Sequence, residues 1–332
     1  MTPALLGALV LLALLAAACT ADVPDRGATG TAGSAAYPVT IDNCGTPLRI
    51  DKRPSRVVSN DVNSTEYLLA LGLADTIKGT FGVSAPAVGP EYAAEFAQVP
   101  HASPKYLTLE PLVGLDPDFL FAGWNYGLER GSATLTPEAL GRRGIATLAL
   151  TESCVHVQPG RPPVSIDDTY TDLRNLGVVF DRRERAEQVI AEMKTKVADV
   201  QATVAGRRPV SVFVYDSGQD APFTAPARAM PNALIALAGG RNVFADLDQS
   251  WTSVSWEKVA AADPDCILVN DYATPTWQQK ADFLRQSPIT KDLRAVKAGC
   301  IWHLRYDQIT PGPLNAQAVE SIARWLHPAD RG

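Results

Sequence analysis

Aromatic and charged side chains stand at or near the ends of most short apolar runs in this chain. In the first half they are Asn60, Asp61, Phe81, His101, Tyr106, Trp124 and Tyr126, and in the second half Tyr215, Asp216, Arg228, Trp251, Asp271, Tyr272, Arg305 and Tyr306. Aromatic rings stack against flat ligands, and a guanidinium group offers an anion a planar fork of donors. The pattern favours a wide pocket for a small molecule, although each aromatic taken singly could also be ordinary packing.

The sequence contains none of the local motifs of the common enzyme classes: no GxSxG elbow, HExxH, Walker loop or GxGxxG. A secreted hydrolase with dispersed Ser, His and Asp residues is the rival class, and a carrier that binds without turnover is preferred. His101 or Tyr306 could ligate haem iron. No cluster of His, Asp and Glu at helical spacing predicts a site for a bare metal ion. We therefore predict neither an enzyme nor a resident cofactor.

Two segments of the chain match each other in order and spacing. Glu110 precedes the Asp-Pro-Asp triplet 116–118, and Glu257 precedes the same triplet at 263–265 with the same spacing. Each segment predicts a short helix that begins just before the glutamate, ends at the proline and leads into a buried strand. One glutamate is thus expected at the corresponding helix start of each half, where the two carboxylates could dock a partner. The alternative is that each merely complements its helix dipole.

The elements that must position these residues alternate between strand and helix. Strands are predicted at 56–59, 77–81, 119–121, 146–150, 210–214 and 266–269, and helices at 66–71, 232–238 and 312–326. Such alternation is typical of an α/β fold with mostly parallel sheets. Because the second half repeats the plan of the first, we predict two Rossmann-like lobes.

A longer amphipathic segment lies between the two halves. Its apolar residues are spaced three and four apart, which marks one face of a helix; they are Ala186, Val189, Ile190, Met193, Val197, Val200 and Val204. A helix over 182–205 would be about 36 Å long, enough to pass from one lobe to the other as a rigid connector. The alternative is a helix packed inside one lobe. We predict an N-terminal lobe over 37–164, connecting helices over 165–206 and a C-terminal lobe over 207–332.

The N-terminal segment has the composition of a lipoprotein signal peptide. Residues 1–18 are almost wholly apolar and end in small residues directly before Cys19. The apolar run is shorter than the ~20 residues of a membrane-spanning helix, the alternative interpretation. The usual positive charge is missing, since no Lys or Arg precedes Arg26. We predict that Cys19 is lipidated and that 19–36, rich in Ala, Gly, Thr and Ser, is a flexible tether.

With Cys19 assigned to lipid, an even number of cysteines remains for an oxidising compartment. We predict disulfides Cys44–Cys154 and Cys266–Cys300, because this pairing keeps each bridge within one lobe; buried free thiols are the alternative. The net charge of -6 argues against nucleic acid as a partner.

The two glutamate segments, together with Ala-Pro-Phe-Thr at 221–224 and Ala-Gly-Gly-Arg-Asn-Val-Phe-Ala-Asp at 238–246, resemble the helical-backbone class of periplasmic binding proteins. The resemblance covers essentially residues 40–327. It implies a ligand held in the cleft between two lobes, and contact of Glu110 and Glu257 with arginines of the permease dimer of an ABC importer, which works with its ATPase. It also implies a monomeric carrier, lipid-anchored on the outer face of the cell membrane or in the periplasm.

Members of that class carry ferric siderophores, haem and vitamin B12, so the resemblance implies a bulky metal chelate as ligand. A ferric siderophore is the preferred ligand, followed by a corrinoid, haem or a deazaflavin-cofactor precursor. The run Val-Tyr-Asp-Ser-Gly at 214–218 resembles actinobacterial-type members, some of which have been proposed to import such a precursor. An aromatic cleft suits all four ligands.

Overall fold

The computed structural model of the chain describes residues 37–83, 87–272 and 274–328, so the predicted signal peptide and Cys19 lie outside the described residues. The strands are β1 (Val39–Asn43), β2 (Thr46–Ile50), β3 (Val57–Asn60), β4 (Ile77–Phe81), β5 (Ala102–Ser103), β6 (Phe119–Trp124), β7 (Gly127–Leu128), β8 (Ala146–Ala149), β9 (Val210–Tyr215), β10 (Phe223–Thr224), β11 (Gly240–Asn242), β12 (Thr252–Ser253), β13 (Cys266–Asp271) and β14 (Ile301–Arg305). The α-helices are α1 (Val62–Ala70), α2 (Ala93–Phe96), α3 (Leu109–Gly114), α4 (Pro137–Gly141), α5 (Ile166–Val179), α6 (Arg183–Val204), α7 (Met230–Leu237), α8 (Trp256–Ala262), α9 (Trp277–Gln286), α10 (Arg294–Lys297), α11 (Tyr306–Ile309) and α12 (Asn315–Leu326).

Each half of the chain contains one parallel sheet. The N-terminal sheet has the order β5-β4-β3-β6, with β8 also paired to β6 and β7 paired to the end of β6. The C-terminal sheet has the order β11-β9-β13-β14. The predicted α/β class with mostly parallel sheets is confirmed.

The second aspartate of each Asp-Pro-Asp triplet fixes the start of the neighbouring central strand. Asp118 accepts a hydrogen bond at 2.8 Å from the backbone N–H of Arg56, just before β3. Asp265 accepts from the backbone N–H of Ser211 in β9 at 3.0 Å and from its hydroxyl at 2.7 Å. The first aspartate of each triplet, Asp116 or Asp263, has a positive φ, of 47° and 38° respectively, within two residues of the helix end. In both halves the second aspartate of the repeat therefore holds the start of a central strand in place, and this structural role is separate from any role of the glutamates.

The antiparallel hairpin β1–β2 was not predicted from the sequence. Its Asn43 side chain donates to the carbonyl of Thr147 at 2.9 Å and accepts from the N–H of Ala149 at 2.8 Å, which fastens the hairpin to β8. Cys44 in the hairpin turn is bonded to Cys154, in a 3-10 helix over Thr151–His156. A second disulfide joins Cys266 to Cys300, so both predicted pairings are confirmed.

The long helix α6 is confirmed within one residue at each end. Its predicted apolar face is buried from Ala186 to Val200. Near its start the Arg185 Nε donates to the carbonyl of Ala70 in the N-terminal half, at 3.0 Å. Further along, Lys196 Nζ lies 3.1 Å from Glu320 Oε2 on α12. The helix therefore contacts both halves of the chain.

One apolar core runs through α5, α6 and α12 and covers one face of each sheet. The other face of the N-terminal sheet has its own cluster, which includes Val58, Leu112 and Leu120. The other face of the C-terminal sheet has a cluster that includes Phe213 and Trp256. In the part of the chain that the structure describes, no helix combines the length and apolar character needed to cross a membrane.

Candidate ligand-binding site

A cavity of about 300 Å³ lies between the two halves, at the carboxyl ends of their parallel strands. This is the edge at which open α/β sheets bind ligands. Side chains from both halves line it: Tyr106, Asn125, Tyr126 and His156 from the first, and Asp216, Phe223, Trp251, Tyr272, Tyr306 and Thr310 from the second.

A buried aspartate organises the N-terminal wall. Asp61 follows β3, adopts a φ of 84° and caps α1 by accepting from the N–H of Val62 at 2.8 Å. Its Oδ2 accepts from the hydroxyl of Tyr306 at 2.7 Å and from that of Tyr106 at 3.2 Å. Burial raises the pKa of the Asp61 carboxyl, and these hydrogen bonds act against that rise. Because Tyr306 belongs to the other half, its bond closes one end of the cavity.

The C-terminal wall is built in the same way. Asp216 follows β9 as Asp61 follows β3, and its Oδ1 accepts from Asn270 Nδ2 at 2.7 Å. Its Oδ2 accepts from the hydroxyls of Tyr272, at 2.7 Å, and Ser217, at 2.8 Å. Behind the Tyr272 ring lies Lys280, only 3% exposed, with its ammonium 4.4 Å from the ring centroid. Burial lowers the pKa of Lys280.

Two aromatic rings stack at the side of the cavity. Phe223 and Trp251 lie with their ring centroids 6.0 Å apart and their planes at 19°. The short pairing of β10 with β12 positions them. Trp251 also lines an adjoining cavity of about 430 Å³, together with His156 and Arg228. Trp251 and His156 therefore line both cavities.

The two arginines predicted for the site are engaged in ion pairs. Arg228 pairs with Asp248, and its Nη1 donates to the carbonyl of Arg161 at 2.7 Å. Arg305 Nη2 lies 3.0 Å from both Glu91 and Asp307.

Six other predicted site residues lie away from the cavity, among them Asp271, whose Oδ2 lies 3.1 Å from His303 Nδ1. Phe81 and Tyr215 end their strands in the apolar clusters on the outer sheet faces, because alternate strand residues point to opposite faces. His101 packs against Phe81, with ring centroids 5.7 Å apart. Trp124 lines a separate cavity of about 650 Å³ beside Cys44.

Asn60, the sixth, supports the site from behind the wall. Its Oδ1 accepts from the N–H of Leu107 at 2.9 Å, and its Nδ2 donates to the carbonyl of Tyr126 at 3.0 Å. These bonds hold the loops that carry Tyr106 and Tyr126.

The sequence interpretation missed four cavity residues: Asn125, His156, Phe223 and Thr310. Phe223 stands inside the Ala-Pro-Phe-Thr motif, and His156 comes two residues after the disulfide-bonded Cys154. The motif and the cysteine were the sequence signals that could have identified these two residues. The four residues were missed because none of them directly follows a predicted strand.

Contacts between the halves continue beyond the cavity. Asn63 Nδ2 donates to the carbonyl of Pro311 at 2.7 Å. Glu66 on α1 is fully buried near Asp307 on α11. Burial, and then the Asp307 carboxylate, raise the pKa of Glu66 to about 9, so Glu66 is protonated at neutral pH.

Glu110 and Glu257 occupy equivalent helices. Glu110 is in the first turn of α3, which precedes β6, and Glu257 is in the first turn of α8, which precedes β13. Both side chains are exposed. Hydrogen bonds from Ser255 and the local backbone lower the pKa of Glu257, so it carries its charge at neutral pH.

Two parallel sheets bridged by one long helix, with an aromatic cavity between their carboxyl ends, define a solute-binding protein of the helical-backbone class. Over the described residues no group of His, Cys, Asp and Glu has the arrangement of a metal site. Residues 57–307 match the family model described as periplasmic binding protein. The chain belongs to that family.

Individual relatives agree with this assignment. A periplasmic binding protein from Veillonella parvula has a TM-score of 0.76 and 25% identity, covering 88% of this chain and 98% of that one. A structure from Saccharomonospora viridis described as an ABC-type Fe3+-hydroxamate transport system has a TM-score of 0.75 and 24% identity, covering 88% and 100%. The cobalamin-binding protein of Halobacterium salinarum is 24% identical over 297 residues, 88% of this chain and 74% of that one.

Proposed function

We propose that the protein is the extracytoplasmic solute-binding lipoprotein of an ABC importer, which captures an iron-siderophore-type chelate between its lobes and delivers it to a permease dimer. The observation that carries the proposal is the aromatic cavity at the facing carboxyl ends of two sheets bridged by α6. The proposal includes an N-terminal lobe over 37–164, a C-terminal lobe over 207–332 and a monomeric state. It also includes binding of the ligand without turnover.

The size of the cavity bears on the ligand. About 300 Å³ is at the lower end of the range of about 300–1,000 Å³ typical of small-molecule sites. A bulky chelate would also need the adjoining space of about 430 Å³ beside Arg228 and Trp251, or a wider separation of the two sheets. The stacked pair of Phe223 and Trp251 would then contact the ligand from one side.

A corrinoid is the second candidate ligand. The name of the Halobacterium salinarum relative, which matches 88% of this chain, favours it. The tyrosines and tryptophan of the cavity could pack on the flat face of a corrin ring as they could on a chelate.

Ligand binding is expected to quench tryptophan fluorescence, because Trp251 lines both cavities. Titration of the purified protein with a ferric trihydroxamate and with cyanocobalamin, followed by emission, checks this. Trp251→Phe should remove most of the quenching, whereas Trp325→Phe, on α12 and outside the cavity, should retain it. If neither compound binds when calorimetry is used as a second readout, the proposed ligand classes are wrong.

Cys19→Ala is expected to release the protein from the membrane fraction, because the substitution removes the thiol that would carry lipid. Fractionation of expressing cells, followed by immunoblotting, measures the distribution. Cys44→Ala, which removes a cysteine of the mature domain, is the matched control and should leave the remaining protein in the membrane fraction. Membrane retention of the Cys19 variant would contradict lipid anchoring.

A further inference from the structure

Three tyrosine hydroxyls of the cavity have their protons committed to carboxylates. Tyr106 and Tyr306 both donate to Asp61, and Tyr272 donates to Asp216. A phenol hydroxyl has one proton, so each oxygen can offer only lone pairs to a molecule in the cavity. These three tyrosines therefore present hydrogen-bond acceptors to the ligand.

The positive charges of Arg228, Lys280 and Arg305 are compensated by carboxylates or screened from the cavity. Arg228 is paired with Asp248, and Lys280 is buried behind the Tyr272 ring, where it donates to the carbonyl of Asn270 at 2.7 Å. Arg305, which does not line the cavity, is paired with two carboxylates.

Among the described residues that line the cavity, His156 is the remaining basic group. Burial, and then Arg130, lower the pKa of its imidazole, which is therefore neutral at physiological pH. The positive charge of Lys280, behind the wall, acts on Asp216.

We infer that the cavity selects a neutral or cationic ligand that presents hydrogen-bond donors, such as amide N–H, hydroxyl or ammonium groups, and discriminates against anionic chelates. The inference rests on the proposed function and narrows its ligand class. A carboxylate or catecholate edge would place lone pairs against lone pairs and negative charge near Asp61 and Asp216. Neither repulsion can be relieved by reorienting the hydroxyls while the two aspartates accept the phenol protons.

A charge series built on one scaffold tests the inference whatever the natural ligand is. The first series is a linear ferric trihydroxamate with a free terminal amine, its neutral N-acetyl derivative and its anionic N-succinyl derivative. The second is cyanocobalamin, a derivative with an appended alkylamine, and the corresponding monocarboxylate. Calorimetry on the purified protein at one salt concentration gives the affinities. We expect the anionic member to bind roughly tenfold more weakly than the cationic one, a difference of about 1.4 kcal/mol.

Asp61→Asn is the informative variant. Asparagine caps a helix as well as aspartate and tolerates a positive φ, so α1 should be retained. The new amide can donate to Tyr306, which frees that hydroxyl to donate into the cavity, and the carboxylate charge is lost. The preference for the cationic member should therefore shrink. Asp116→Asn, at an exposed aspartate that also has positive φ, is the matched control and should bind like the wild type.

The outcomes separate the inference from the proposed function. If no member of either series binds the wild-type protein, the proposed function fails and the inference fails with it. If a series binds but its anionic member binds as tightly as the cationic one, or more tightly, the inference alone is overturned. The wild-type series decides this even if the Asp61 variant does not fold.

Discussion

Replacing Glu110 and Glu257 together with alanine is expected to abolish ligand uptake by cells and to leave the affinity of the purified protein for its ligand unchanged. Both carboxylates are exposed, at equivalent helix starts of the two halves, and outside the cavity. Truncating one partner of a buried charge pair at an interface costs about 2–5 kcal/mol. Loss of two such pairs with permease arginines should therefore reduce uptake by roughly 100-fold or more.

Radiolabelled ligand uptake by a deletion strain carrying each variant measures the effect, with calorimetry on the purified proteins as the second readout. The matched controls are Glu138→Ala and Glu184→Ala, since these glutamates are also exposed in a helical first turn. A role confined to the helix dipole predicts small effects on stability for all four positions and no loss of uptake. Normal uptake by the double variant would remove the docking role.

Removal of the Cys44–Cys154 bridge is expected to lower the free energy of unfolding by about 4 to 5 kcal/mol. The two cysteines are separated by 110 residues, and the chain-entropy model assigns a long loop a large stabilisation. The bridge also fixes the hairpin turn to the 3-10 helix that carries His156. Denaturant unfolding of the Cys44→Ser, Cys154→Ser variant measures the change.

The second disulfide provides the comparison. Cys266 and Cys300 are separated by only 34 residues, so the same model gives about 3 to 4 kcal/mol for their removal. A loss of less than about 2 kcal/mol for the first bridge would mean that the unfolded chain is already compact around it.

The architecture could be predicted largely because its signals are local and periodic. The apolar face of α6 runs at helical spacing over many turns, which located the helix to within one residue at each end. The hairpin β1–β2 escaped prediction because its strands are short and half exposed. Its position depends on side-chain bonds from Asn43 to a strand about a hundred residues away.

The site could be predicted only in part, because strand ends do not specify side-chain direction. Tyr106, Asp216, Trp251 and Tyr306 line the cavity, whereas Phe81 and Tyr215 point into the apolar clusters. The pairing of Arg228 with Asp248 depends on loop geometry that no periodicity encodes. The Asp-Pro-Asp repeat was located correctly. Its hydrogen bonds to the starts of β3 and β9 could not be predicted, because they depend on the order of the strands in each sheet.

The core shared by α5, α6 and α12 limits how the cavity can widen. Met193 and Val197 on α6 belong to the same close-packed core as residues of both sheets. A hinge motion of one half relative to the other would therefore open cavities in that core, which is destabilising. Any change in the separation of the halves would instead have to bend α6 or repack the core around it. Release of a ligand that needs a wider separation of the halves would therefore cost the free energy of bending α6 and disturbing this core.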